Sequence, residues 1–106
     1  MKIKKVLNEV ENKLFKAMVN GKVDKFAFDT VKVKLDKTNN LVERYTSNEI
    51  DMIMFNRELI LLNDSFVAYA LIASEGTVLK ELLLELSTTI IDYSTSNMYK
   101  IKMLYN

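Results

Sequence analysis

The acidic residues Glu81 and Glu85 are the pair whose type and spacing come nearest to a chemical site. They lie four residues apart, which places both carboxylates on one face of a helix, where they could share a cation. That face lies opposite Leu82 and Leu86, which belong to an apolar stripe, so it is the solvent side of the helix. The spacing therefore favours a solvated acidic face over a magnesium-type site, which would need further carboxylates from elsewhere in the fold.

Most other catalytic and metal chemistry is excluded by composition. The chain has no histidine and no cysteine, which removes the commonest general base and the usual ligands of zinc and iron–sulfur clusters. Its two glycines, Gly21 and Gly76, belong to no phosphate-binding motif. We therefore predict a protein that is not an enzyme and that carries no cofactor and no metal.

A tyrosine beside two lysines near the C-terminus, Tyr99 with Lys100 and Lys102, comes closest to a nucleic-acid site. Such a tyrosine could stack on a base while the lysines contact phosphates. The chain as a whole, however, has a net charge of only +1, and nucleic-acid binding relies on many phosphate contacts. A nucleic-acid-binding accessory protein, which would also use the N-terminal lysines, is therefore kept only as an alternative.

The strongest candidate for a binding surface is the pair Leu84 and Ile91, seven residues apart and away from the apolar stripe of their predicted helix. Thr88 lies between them and Lys80 at the margin. A helix that is apolar on two sides has two surfaces to bury. We predict an interface with a protein partner and expect a two-fold homodimer, the commonest oligomer. Phe15, off the stripe of the first helix, could join this patch. Two alternatives to an interface are that Leu84 and Ile91 are simply isolated exposed residues, or that another layer of the same domain covers them.

Two segments have the periodicity of amphipathic helices. In residues 3–18 the apolar residues recur at spacings of three and four, and Asn20-Gly21 follows as a left-handed helix stop. In residues 77–93, Thr77 can act as the N-cap. The apolar stripe after Thr77 consists of Leu79, Leu82, Leu83, Leu86, Ile90 and Tyr93.

The middle of the chain, residues 26–73, is open to two interpretations. Val31, Val33 and Leu35 alternate with lysines, which is the period of a half-buried strand, and the polar runs 36–40 and 63–65 have the composition of turns. These features predict an antiparallel β-meander. Two buried helices are the alternative, because leucine, methionine, alanine and glutamate are good helix formers and short apolar runs suit either structure.

The C-terminal residues 98–106 alternate between apolar and other side chains, which predicts a short strand at a sheet edge; a helical tail is the alternative. The overall prediction is a single α+β domain over residues 1–106. It has an N-terminal helix, a central antiparallel β-meander, a long C-terminal helix and a short edge strand. An all-α helical bundle is the alternative architecture.

The segment MFNRELILLNDSFVAYALIASEGTVLKELLLEL, residues 54–86, resembles the hairpin-then-helix half of a roadblock or longin-type module. The order of the apolar runs 59–62 and 66–73, followed by the helix, carries this resemblance. Domains of that type place helices against an antiparallel sheet and serve as dimerising scaffolds, often around small GTPases. The resemblance thus implies a central sheet and a scaffold function.

Neither a secretory signal nor a membrane helix is predicted. Polar residues interrupt the lysine-rich start, and the longest apolar region, 59–73, falls short of the roughly 20 residues of a membrane span. We expect a soluble, cytoplasmic protein. Its predicted function is that of a small non-catalytic protein-interaction module, a homodimeric scaffold or adaptor. The alternative is a phage-type or mobile-element inhibitor that sterically blocks a host protein.

Overall fold

The computed structural model describes residues 2–105, with the backbone alone for Tyr105, and consists of four α-helices joined by five-residue loops. The helices are α1 (Lys2–Val19), α2 (Lys25–Thr46), α3 (Met52–Ile72) and α4 (Val78–Tyr105). Each helix packs against the next along the chain and α1 packs against α4, whereas within residues 2–105 the backbones of the diagonal pairs are not adjacent. Short loops between packed neighbours make this an up-down-up-down four-helix bundle.

The predicted α+β fold is wrong, and the all-α bundle held as the alternative is right. Residues 25–46, expected to include a strand and a turn, form one helix without glycine or proline. Its buried positions recur at helical spacing: Phe28, Val31, Leu35, Thr38, Leu41 and Val42. Val33 is exposed. The apparent alternation therefore combined a true four-residue repeat, Val31 to Leu35, with one outward-facing valine.

The turn expected at residues 63–65 lies in the middle of α3. Asn63 is buried and Asp64 is exposed, while Leu59 and Phe66, seven residues apart, are fully buried on the same helix. Helix α3 replaces the hairpin that the roadblock or longin resemblance implied, so the sheet expected from that resemblance is also wrong. The reason is that α3 is apolar on several sides, which hides the helical period in the sequence.

The edge strand expected at residues 98–106 is also wrong, because α4 continues to Tyr105; Asn106 lies outside the described residues. Helix α4 has 28 residues and α1 has 18, so α4 is about 15 Å longer at 1.5 Å per residue. The start of α1 lies beside Tyr93. The end of α4 therefore extends past α1, where Ile101 and Leu104 border a recess together with Met52.

The predicted end of α1 and the predicted start of α4 are confirmed by local hydrogen bonds. Helix α1 ends at Val19, Gly21 follows with a φ of +75°, and the backbone N–H of Lys22 donates to the carbonyl of Ala17 over 2.8 Å. That is the left-handed stop expected of glycine. Before α4, the hydroxyl of Thr77 accepts from the backbone N–H of Lys80 over 3.3 Å, as an N-cap does.

An aromatic cluster joins three helices in the core. Phe55 is fully buried, stacks on Tyr45 with ring centroids 4.3 Å apart, and meets Tyr93 edge-on at 6.0 Å. Burial, with a smaller contribution from Tyr45, raises the pKa of the Tyr93 hydroxyl. Because the rings belong to α2, α3 and α4, this cluster fixes how those helices meet at one end of the bundle.

Replacing Asp51 by alanine is expected to lower the free energy of unfolding by about 1 kcal/mol. The Asp51 carboxylate is the N-cap of α3 and accepts from the backbone N–H of Met54 over 2.8 Å. The measurement is urea denaturation followed by circular dichroism. Asp51→Asn is the matched control, because it keeps a side-chain oxygen at the cap; equal losses in both variants would show that the cap is not the cause.

Candidate protein-interaction surface

Helices α3 and α4 form the most extensively packed pair in the bundle. At their interface the side-chain amide of Asn97 donates to the side-chain oxygen of Asn56 over 3.4 Å, and both residues are buried. Ser87 and Ser94, seven residues apart on α4, are also buried, and their small side chains permit close packing. The asparagine pair marks the register of the two antiparallel helices, and it loses its hydrogen bond if either helix slides.

An apolar row with a spacing of seven runs along the outer edge of each of these helices. The rows are Ile53, Ile60 and Val67 on α3 and Leu84, Ile91 and Met98 on α4, and together they are named the α3–α4 face. Val67 is half-buried, and the other five side chains are between 40% and 57% exposed. Each side chain is thus held by the bundle while still presenting apolar surface.

The two rows border the same seam, as the neighbours of each helix show. On α4, Thr89 and Tyr93 lie beside Ile3 and so mark the side that faces α1. On α3, Leu62 and Tyr69 lie beside residues of α2. The seven-spaced rows lie on the remaining side of each helix, where α3 meets α4. At that seam Ile53 of α3 shares a recess with the end of α4.

The register brings the rows to matching heights. Asn56 lies opposite Asn97, so a step forward along α3 corresponds to an equal step back along α4. Ile60 is four residues after Asn56, and Ile91 is six residues before Asn97, so the two isoleucines differ in height by about 3 Å at 1.5 Å per residue. The other members of the rows follow at intervals of seven, so the face is continuous along both helices.

The predicted interface residues of α4 lie on or beside this face. Leu84 and Ile91 are its members, exposed Thr88 is on the adjoining flank, and the ammonium of Lys80 is 2.6 Å from the Glu75 carboxylate near the start of α4. Phe15 is not part of the face. It contacts Phe28 edge-on at 6.0 Å, between α1 and α2.

The remaining predicted residues, Tyr99, Lys100 and Lys102, are exposed near the end of α4 that extends past α1. Lys2, at the start of α1, does not add to this basic segment, because it lies beside Tyr93, at least six residues before Tyr99 on α4. The recess that this end of α4 forms with the start of α3 is bordered by Asp51, Met52, Ile53, Ile101 and Leu104, so none of the basic side chains in residues 2–105 lines it.

Sequence reasoning missed Met98 and the whole α3 row. Met98 continues the seven-residue spacing of Leu84 and Ile91, but it lies in the segment 98–106 that the sequence predicts as a strand. The row on α3 has the same spacing, at Ile53 and Ile60, yet a period of seven has meaning only for a helix. In a helix over residues 52–72, the same spacing of seven identifies the row on α3.

A second apolar surface lies at the end of the bundle that contains the loop before α4. A groove of about 320 Å³ is lined by Phe26, Ala27, Thr30, Val31, Tyr69, Ile72, Ala73 and Leu79. The hydroxyl of Thr30 donates to the carbonyl of Phe26 over 2.8 Å, so the polar atom of that side chain already has a partner. Phe26 and Ile72 are largely exposed at its rim.

No metal-binding or membrane-spanning feature is found in the described part of the chain. Residues 2–105 contain no cluster of three or more acidic side chains able to hold a metal ion, and Glu81 and Glu85 are both exposed. None of the helices, as far as they are described, is long and apolar enough to cross a bilayer. Comparison of the sequence and fold with protein-family models, curated proteins and solved structures finds no match.

Proposed function

We propose that this protein is a small non-catalytic protein-interaction module that uses the α3–α4 face as a homodimeric scaffold. The observation that carries the proposal is the pair of seven-spaced apolar rows on adjacent helices. A helix that packs only against its own bundle needs one apolar stripe, and these two helices have a second stripe turned away from the core. The seam between two helices is a surface on which further helices pack by inserting side chains between the rows.

The size of the face suits a stable dimer. Helix α3 has 21 residues and is therefore about 31 Å long. Two packed helices are about 20 Å across, so the face covers roughly 600 Å² as a flat area, and side-chain relief raises its accessible area toward the ~800 Å² per partner of ordinary interfaces. Burial of its apolar side chains favours association, and the part of this gain that exceeds the entropy lost on binding appears as affinity.

Replacing Ile91 by aspartate is expected to weaken self-association by at least about 100-fold, because a carboxylate would be buried at the centre of the interface in both copies. Light scattering over a range of concentrations should give twice the mass of one chain for the wild type and the mass of one chain for Ile91→Asp.

The matched control is Val33→Asp, which places a carboxylate at a similarly exposed apolar position on α2, outside the α3–α4 face. It should keep the dimer mass, and circular dichroism should show the same helix content in all three proteins. A dimer that survives Ile91→Asp would place its interface elsewhere and reject the α3–α4 face.

A further inference from the structure

Two opposite charges flank the middle of the α3 row. Arg57 lies three residues before Ile60 and Asp64 four residues after it, so all three share one side of the helix. Both charged side chains are exposed, and within residues 2–105 neither forms an ion pair. The α3 side of the face thus carries a positive and a negative group placed almost symmetrically about its central isoleucine.

This symmetry fits an antiparallel arrangement with a second copy of α3. If the two-fold axis passes between Ile60 and Leu61, Arg57 of one copy lies opposite the partner's Asp64, and Asp64 lies opposite the partner's Arg57. Two equivalent ion pairs then form at the edge of the apolar contact. Charges at such an edge contribute more to orientation and specificity than to affinity.

The α4 row has its own centre of symmetry at Ile91, which would place Leu84 opposite the partner's Met98. Asn56 lies opposite Asn97, and Ile91 is six residues before Asn97, so Ile91 is level with position 62 on α3. The midpoint between Arg57 and Asp64 is at position 60.5. The two centres of symmetry therefore differ by only about 2 Å along the bundle. One two-fold axis perpendicular to the helices can therefore relate both rows to the same rows of the partner.

The charges at the ends of α4 are compatible with this axis. Lys102 would lie level with the partner's Lys80. The ammonium of Lys80 is already 2.6 Å from the carboxylate of Glu75, and Glu75 is itself exposed. Lys102 would therefore approach an ion pair rather than an isolated cation.

We propose that the α3–α4 face is occupied by a second copy of this chain, antiparallel to the first, with Arg57 of each copy paired to the partner's Asp64. This inference rests on the proposed function and adds the orientation and the residues that specify it. A two-fold axis parallel to the helices would instead place α3 against the partner's α4, with Arg57 far from any Asp64. The charges therefore distinguish the two arrangements.

The test exchanges the charges. Arg57→Asp and Asp64→Arg should each weaken self-association about 10-fold or more at low salt, because each creates two like-charged contacts. An equimolar mixture of the two variants should form the heterodimer in preference to either homodimer, and native mass spectrometry can count the species. The double variant, in which the charges are exchanged, should recover wild-type affinity.

Glu9→Arg and Lys13→Asp on α1 are the controls, since both positions are exposed and α1 does not contribute to the face. These variants should mix statistically. Statistical mixing of Arg57→Asp with Asp64→Arg, with each homodimer as stable as the wild type, would overturn the antiparallel arrangement. In that case the loss of the dimer in Ile91→Asp would still support the proposed function, whereas a wild type that stays monomeric at all concentrations would overturn both.

Discussion

Replacing Phe55 by alanine is expected to lower the free energy of unfolding by about 3–5 kcal/mol, the usual cost of removing a buried aromatic ring. Phe55 is fully buried, stacks on Tyr45 and meets Tyr93 edge-on. Its removal leaves a cavity where three helices meet and also removes two aromatic contacts. Since domains of this size have total stabilities of about 5–15 kcal/mol, the variant should be close to unfolding at 37 °C.

Urea denaturation followed by circular dichroism, at one fixed protein concentration, measures this loss. Phe26→Ala is the control, because Phe26 is 79% exposed and its truncation should change the free energy of unfolding by no more than about 0.5 kcal/mol. A loss below about 1 kcal/mol for Phe55→Ala would contradict the packing of the aromatic cluster.

Replacing Asn63 by leucine is expected to raise the free energy of unfolding by about 1–3 kcal/mol. The side chain of Asn63 is buried in α3, and its oxygen has no hydrogen-bond partner within the described residues. Folding therefore removes this oxygen from water without compensation, and leucine, similar in size, abolishes that cost. The measurement is the shift of the urea midpoint at an unchanged dependence on denaturant.

Asn56→Leu is the matched control and should have the opposite sign. It removes the acceptor of the Asn97 amide and leaves that amide buried without its partner, which costs about 1–3 kcal/mol. Both substitutions put leucine at a buried asparagine of the same helix, so only the hydrogen bonding differs. Destabilisation by Asn63→Leu would contradict the prediction and would indicate that the side-chain oxygen of Asn63 has a hydrogen-bond partner, for example a buried water.

The sequence by itself determined α1 and the beginning of α4. In both segments one side is apolar and the other polar, so the helical period is visible, and the boundaries have local causes. Gly21 adopts a left-handed conformation that other residues rarely adopt, and the Thr77 hydroxyl caps α4 by accepting from the backbone N–H of Lys80, three residues later. Such features depend on near neighbours in the chain, which is why they can be predicted without the fold.

Part of the candidate surface could be predicted for the same reason. The spacing of Leu84 and Ile91 is a property of one helix, and both residues lie in the part of α4 that is correctly predicted as helix. The matching row on α3, with Ile53 and Ile60, cannot be predicted in the same way, because the sequence pattern of its segment favours strands. In a strand, residues seven apart point to opposite faces. A surface made by two helices becomes visible only when both are known to be helices.

Only the tertiary structure decided the middle of the chain. Helix α3 is apolar on the sides facing α2 and α4 and again on its outer edge, so its sequence has no single dominant period. Packing between its neighbours, rather than local preference, selects the helix there. The same packing brings Asn56 to Asn97, 41 residues away along the chain, and it thereby places the two apolar rows at matching heights.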